Sequence, residues 1–116
     1  MYQTICYQIE AGVAVIMLNR PEVMNALSTL LRAEMLAAVL RAGAEARVLV
    51  ITGAGRAFCS GQDLGDAGAT IDLEKVLNEE YVPLLKAITA CPVPTICAVL
   101  PVILFVPRLQ LKRTTI

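Results

Sequence analysis

Residues 47–64 read RVLVITGAGRAFCSGQDL. Arg47–Thr52 is apolar and β-branched through its centre, which predicts a buried strand. At Gly53 the character changes. Glycines stand at 53, 55 and 61, among alanines, Cys59 and Ser60. Glycine lets a backbone take strained angles and lets a ligand come close. Successive N–H groups in such a loop can face an anion or a developing oxyanion. The competing reading is an ordinary connection from a strand to the next helix.

Outward from this stretch the chain alternates between strand and helix signals. Ile5–Ile9 alternates in part and Val13–Leu18 is continuously apolar, with Ala11-Gly12 between them. That pattern predicts a β-hairpin whose second strand is well buried. Asn19-Arg20-Pro21 ends the strand, because proline cannot continue a ladder. Ser28 caps a helix expected to run to about Ala42, with Leu27, Leu31, Met35 and Val39 on one face and Gly43 to terminate it. The glycine-rich loop should extend from Gly53 to about Thr70. Asp72 then starts a helix carrying Leu73, Val76 and Leu77, and Pro83 kinks it or begins another, with Leu84, Leu85 and Ile88 as apolar face. Cys91-Pro92-Val93-Pro94 is a stiff connector to a buried strand at Thr95–Val99. The order β-β-α-β-loop-α-β defines an α/β class.

With 116 residues the chain is long enough for one domain. Hydrophobic residues make up 57% and charged residues 17%, which rules against disorder and implies apolar surface left for a partner. The net charge is zero, so neither nucleic acid nor an acidic membrane is indicated as a target. Ile96–Val106 is apolar but broken by Pro101 and too short to span a bilayer, and a buried strand is the better reading. There is no histidine, and the four cysteines form no C-x-x-C pair, which argues against a zinc site. Met1–Glu10 lacks the pattern of a signal peptide. Reduced thiols and a cytoplasmic location are expected.

Other loop chemistries fail on the residues. A Walker A loop needs a terminal Gly-Lys-Ser/Thr, and G-x-G-x-x-G would need glycine where Phe58 stands. Cys59 and Ser60 are nucleophiles by type, but without a histidine base no triad can be built, and small residues beside a tight turn explain them. Arg56 is either a phosphate contact or a solvated loop charge. Asp63 and Asp66 could be paired as acid and base; a role for Asp63 in fixing the loop through backbone hydrogen bonds fits better.

Two segments taken together, Leu18–Leu27 (LNRPEVMNAL) and Ile51–Leu64 (ITGAGRAFCSGQDL), resemble the crotonase superfamily, the enoyl-CoA hydratase/isomerase family. The lead-in ICYQIEAGVAVIML and the later CPVPTICAV are similar to the same family in the same order. The resemblance covers residues 1–99. It implies a crotonase-like spiral of β-β-α units, here only its N-terminal half, and hydration or isomerisation of an acyl-CoA through an enolate. By the resemblance the backbone N–H of Gln62, after Gly61, is one oxyanion-hole donor. Asp63, Leu64 and Gly65 match the stretch along which CoA lies, and Val23, Met24 and Ala26 match the nucleotide-side wall of the groove; packing against the first helix is the other role open to those three. Coenzyme A would enter as part of the substrate, with no separate cofactor. Family members resemble trimers or hexamers built from trimers. Gly61-Gln62-Asp63-Leu64 is similar to the subgroup acting on ring-derived CoA esters in phenylacetate breakdown.

The family pattern stops after CPVPTICAV. The family continues with an Asn-Gly run that supplies the second oxyanion N–H and opens a helix carrying a catalytic glutamate. Here the chain reads LPVILFVPRLQLKRTTI, with no glycine after Gly68 and no acid after Glu80. An abrupt break points to a frameshift, a misread or a premature end, with residues 100–116 a divergent tail unrelated to the family. The alternative is a true tail that adds a terminal strand. A form without the partner donor and the acid/base groups would be an incomplete enzyme, or a non-catalytic chain that binds CoA esters or pairs with a homologue.

Overall fold

The computed structural model describes residues 2–63 and 72–99, and 102–106 by their backbone. Strand β1 (Ile5–Glu10) turns back into β2 (Val13–Leu18), and helix α1 (Thr29–Glu45) leads to β3 (Val48–Gly53). A helical rod follows in three parts: α2 (Leu73–Val76), a π-helical turn (Leu77–Tyr81) and α3 (Val82–Ala90). Strands β4 (Thr95–Val99) and β5 (Val102–Val106) complete the order. The α/β class and the opening β-β-α unit are as the sequence reads, and a fifth strand joins them.

The five strands form one sheet in chain order. The β1–β2 and β4–β5 pairs are antiparallel, whereas β2–β3 and β3–β4 are parallel. Two-residue turns suffice for the antiparallel hairpin, and Ala11 (φ 53°) and Gly12 (φ 83°) supply it. Parallel neighbours need a crossover, which α1 and then the helical rod provide.

Helix α1 starts where Ser28 accepts a hydrogen bond from the Leu31 N–H at 3.1 Å. Its buried side, Leu31, Met35, Ala38, Val39 and Ala42, packs on the inward face of the sheet, Ala14, Ile16, Leu18, Leu49 and Ile51. Leu84 and Cys91 close the core from α3 and its connector. The expected stop at Gly43 is not where the helix ends. It runs on to Glu45, and Gly43 instead lets the connector approach: a Cβ there would lie 3.0 Å from Pro92 Cδ.

Strands β2 and β3, expected to be well buried from their apolar runs, are buried on one face and half-covered on the other. Ala14, Ile16, Leu18, Leu49 and Ile51 are buried, while Val15, Met17, Val48 and Val50 on the other face are half-covered. Pro83 stands in the first turn of α3, so it begins a further helix, one of the two outcomes its position suggests. Its ring would meet the carbonyl of residue 79 in a regular helix, and the preceding turn widens, with the Val82 N–H bonded to the Leu77 carbonyl.

Candidate functional site: two loops at the ends of parallel strands

Strands β2 and β3 run parallel with Leu18 beside Gly53, so both chains leave the sheet at the same edge. Ligand sites of open α/β sheets lie at that carboxyl end. The two quoted segments, far apart in sequence, therefore emerge side by side.

They are then tied together. The Ala54 N–H donates to the Leu18 carbonyl at 2.8 Å and the Ser60 N–H to the Met24 carbonyl at 3.0 Å. The Leu27 N–H donates to the Gly61 carbonyl at 2.7 Å, and the Asp63 N–H to the Leu27 carbonyl at 3.1 Å. These last two bonds make a one-residue parallel bridge between Leu27 and Gln62. In that geometry the partners on either side of Gln62 face Leu27, while the N–H of Gln62 faces the other way. Among the described residues no acceptor meets it. Gly61 has φ 108°, a backbone angle that side chains resist, and it sets this reversal. Gly53 is required for closeness, since a Cβ there would sit 2.8 Å from Phe58 Cα.

Asn25 is fully buried at 0% exposure and joins the loops through its side chain. Its Nδ2 donates to the carbonyls of Ala54 (2.9 Å) and Ala57 (2.8 Å), and its Oδ1 accepts from the Arg20 N–H at 2.8 Å. Arg20 Nη1 pairs with Asp63 Oδ2 at 2.8 Å and donates to the Ala26 carbonyl at 2.6 Å. Asp63 thus holds the loop through an ion pair with Arg20, a contact the sequence reading did not include. Of the residues read from sequence, Gly61, Gln62 and Asp63 come together with Ala26, which is buried. Val23 is 41% exposed and Met24 48% exposed, on the segment that follows β2. Leu64 and Gly65 lie outside the described residues, as does Asp66. Arg56 is an exposed loop residue.

Sequence reasoning missed Arg32, Glu80 and Tyr81. Arg32, 2% exposed, lies on α1 and donates to the Leu27 carbonyl at 2.7 Å and to Gln62 Oε1 at 3.1 Å. It also pairs with Glu80, and Tyr81 donates its hydroxyl proton to Gln62 Oε1. The signal was present: a guanidinium three residues before Met35, on the inward side of the helix.

Cys6, Cys59, Cys91 and Cys97 are free thiols, and burial pushes the Cys97 thiol pKa up. Among the described residues no three His, Cys, Asp or Glu side chains cluster as metal ligands, and no helix is long and apolar enough to cross a membrane.

The enoyl-CoA hydratase/isomerase family profile matches residues 8–100. The chain belongs to that family. A probable enoyl-CoA hydratase of Rhodobacter capsulatus is 61% identical over 99 residues, covering 84% of this chain and 38% of the relative. The 1,2-epoxyphenylacetyl-CoA isomerase of Escherichia coli is 36% identical over 106 residues, 85% of this chain and 40% of the relative. A solved enoyl-CoA hydratase of Mycobacterium smegmatis superposes with a TM-score of 0.77 at 28% identity, over 84% of this chain and 40% of that one. The chain therefore spans about 40% of the length of these relatives. The crotonase-like fold expected from the two segments is present, as the N-terminal part of that family's domain.

Proposed function

We propose that this chain binds the thioester end of an acyl-CoA along Gly61–Asp63, with the Gln62 N–H as one donor to the thioester carbonyl. The observation that carries the reading is that N–H. Its neighbours on both sides are fixed to Leu27, while it points away without an acceptor among the described residues. A donor fixed in advance need not reorient as the carbonyl gains charge, and one such donor is worth about 3 kcal/mol in an oxyanion hole. The exposed apolar surface of Val23 and Met24 supports their placement, beside Ala26, on the nucleotide side of the groove. Asp63, Leu64 and Gly65 complete the proposed CoA path.

The reaction class is hydration or isomerisation through an enolate, with coenzyme A as part of the substrate and no separate cofactor. The name of the E. coli relative supports a ring-derived acyl group of the phenylacetate kind. Residues 1–99 are assigned to the crotonase-like unit and 100–116 to a divergent tail. The free thiols support a reducing, cytoplasmic setting, and assembly into trimers or hexamers is proposed by family analogy.

One observation favours binding without turnover. Among the described residues, the carboxylates beside the loop are engaged, Asp63 with Arg20 and Glu80 with Arg32. General acid–base work needs a carboxyl free to reach the reacting proton. Titrating the purified chain with crotonyl-CoA in a calorimeter, while following the conjugated enoyl absorbance, separates the readings. Heat of binding with loss of absorbance supports the enzyme, and binding with constant absorbance supports the non-catalytic form. Absence of both sinks the acyl-CoA assignment.

A further inference from the structure

Arg32 is buried beside the loop with its guanidinium donors engaged, and the proposed reaction gives it no role. Its Nη1 reaches three acceptors: the Leu27 carbonyl (2.7 Å), Gln62 Oε1 (3.1 Å) and the Tyr81 hydroxyl oxygen (3.1 Å). Its Nε donates to Glu80 Oε1 at 3.0 Å, its Nη2 donates to the same oxygen and to Thr29 Oγ1 at 3.2 Å, and its Cζ lies 4.5 Å from the centre of the Tyr81 ring. A buried guanidinium is expensive to desolvate and persists only when its donors are met. Here Glu80 supplies the counter-charge, Thr29 and Tyr81 meet further donors, and Nη1 also reaches the bridge at the Leu27 carbonyl and the Gln62 side chain.

The targets are specific. The Leu27 carbonyl that Arg32 holds is the one that accepts the Asp63 N–H. The Gln62 amide oxygen that Arg32 holds is also held by the Tyr81 hydroxyl. One side chain therefore fixes Gln62 from the backbone side and the side-chain side together. Glu80 and Tyr81 both lie in the π-helical turn, the widened turn that brings consecutive residues toward α1. Such turns recur at functional sites. Arginine suits the task because its planar fork serves several acceptors at once, which an ammonium does not.

We infer that Arg32 is a positioning residue for the loop, setting the direction of the Gln62 N–H through the Leu27 carbonyl and the Gln62 side chain, with Glu80 and Tyr81 holding the guanidinium in place. The inference rests on the thioester-binding reading for its purpose, but the physical claim, that Arg32 holds the bridge, is independent of any ligand.

The full chain is compared with Arg32→Met and Tyr81→Phe by two measurements. The first is amide hydrogen exchange resolved by residue. In Arg32→Met the Leu27 and Asp63 amides should exchange faster by about tenfold or more, while Ile16 and Val50 in the sheet change by less than about threefold. Tyr81→Phe keeps the Arg32–Glu80 pair and removes only the hydroxyl, and should speed the same two amides by about threefold. The second is the near-ultraviolet band of a 2,4-dienoyl-CoA, which moves to the red when its carbonyl accepts a hydrogen bond. Both variants should bind it within about threefold of the parent affinity yet lose about half or more of the red shift. Unchanged exchange at Leu27 and Asp63 overturns the inference. So does a full red shift in both variants. A parent chain that gives no red shift refutes the thioester reading instead, and the exchange data alone then decide whether Arg32 holds the bridge. If Arg32→Met does not fold, the Tyr81→Phe result decides.

Discussion

At the scale of single residues, the site depends on polar side chains that satisfy loop backbone. Asn25 carries a positive φ of 57° and spans three backbone groups on two segments. Asn25→Ala keeps the strained backbone and leaves the Ala54 and Ala57 carbonyls without their donor. A buried polar group that loses its partner costs about 1–3 kcal/mol. The substitution should lower unfolding stability by about 3 kcal/mol in urea titration, with the m-value unchanged. A loss below about 1 kcal/mol would show that water replaces the side chain. Gln62 was legible as a residue because it follows Gly61 in a recognisable string. The direction of its N–H was not, because direction depends on which carbonyls across the gap are engaged. Arg20 and Asp63 illustrate the same limit: their pairing joins residues 43 positions apart by sequence number and no local pattern predicts it.

At the scale of elements, helix starts were legible and one helix end was not. Ser28 and Asp72 cap as expected, because capping is decided by a side chain and the N–H groups a few residues on. Gly43 misled because the same residue that ends helices also opens space for a neighbour. Gly43→Val should therefore be destabilising despite removing a helical glycine. Its branched side chain would enter the space held by Pro92 and Cys91, and overpacking costs about 1–3 kcal/mol. A rise in melting temperature would overturn this account. Glu34 on α1 tethers the entry to β1, accepting from the Gln3 N–H at 2.8 Å and the Thr4 N–H at 2.7 Å, and from the Thr4 hydroxyl. Burial opposes its ionisation, but those hydrogen bonds outweigh burial and hold its pKa below the usual glutamate range. A depressed folded-state pKa gives stability that is fully present above the unfolded pKa and lost as pH falls through the folded one. Glu34→Gln should melt lower than the parent at pH 7, and the gap should close as pH drops below the ordinary carboxylate range. A gap that is constant with pH would refute the linkage.

At the scale of the molecule, parallel strand order explains why two distant segments share a site, and the sheet carries a second consequence. Apolar runs such as Val13–Leu18 look alike whether a strand is covered on one face or two, so sequence alone did not reveal the half-covered side. The register places Val15 beside Val50 and Val50 beside Ile96, a continuous apolar row across three strands. These residues are half-buried, and the buried helical residues lie over the other face. Covering such a row gains about 25 cal/mol per Å2, which favours contact with whatever apolar surface is available. The 12.4 kDa chain should therefore elute from size-exclusion chromatography well above its monomer mass at micromolar concentration. Val15→Thr combined with Val50→Thr keeps β-branching and therefore strand preference while making the row polar. The double variant should elute closer to monomer with its far-ultraviolet circular dichroism unchanged. A parent chain that is already monomeric would show that this row does not drive association. A variant that unfolds would show that the row contributes to the fold of the single chain.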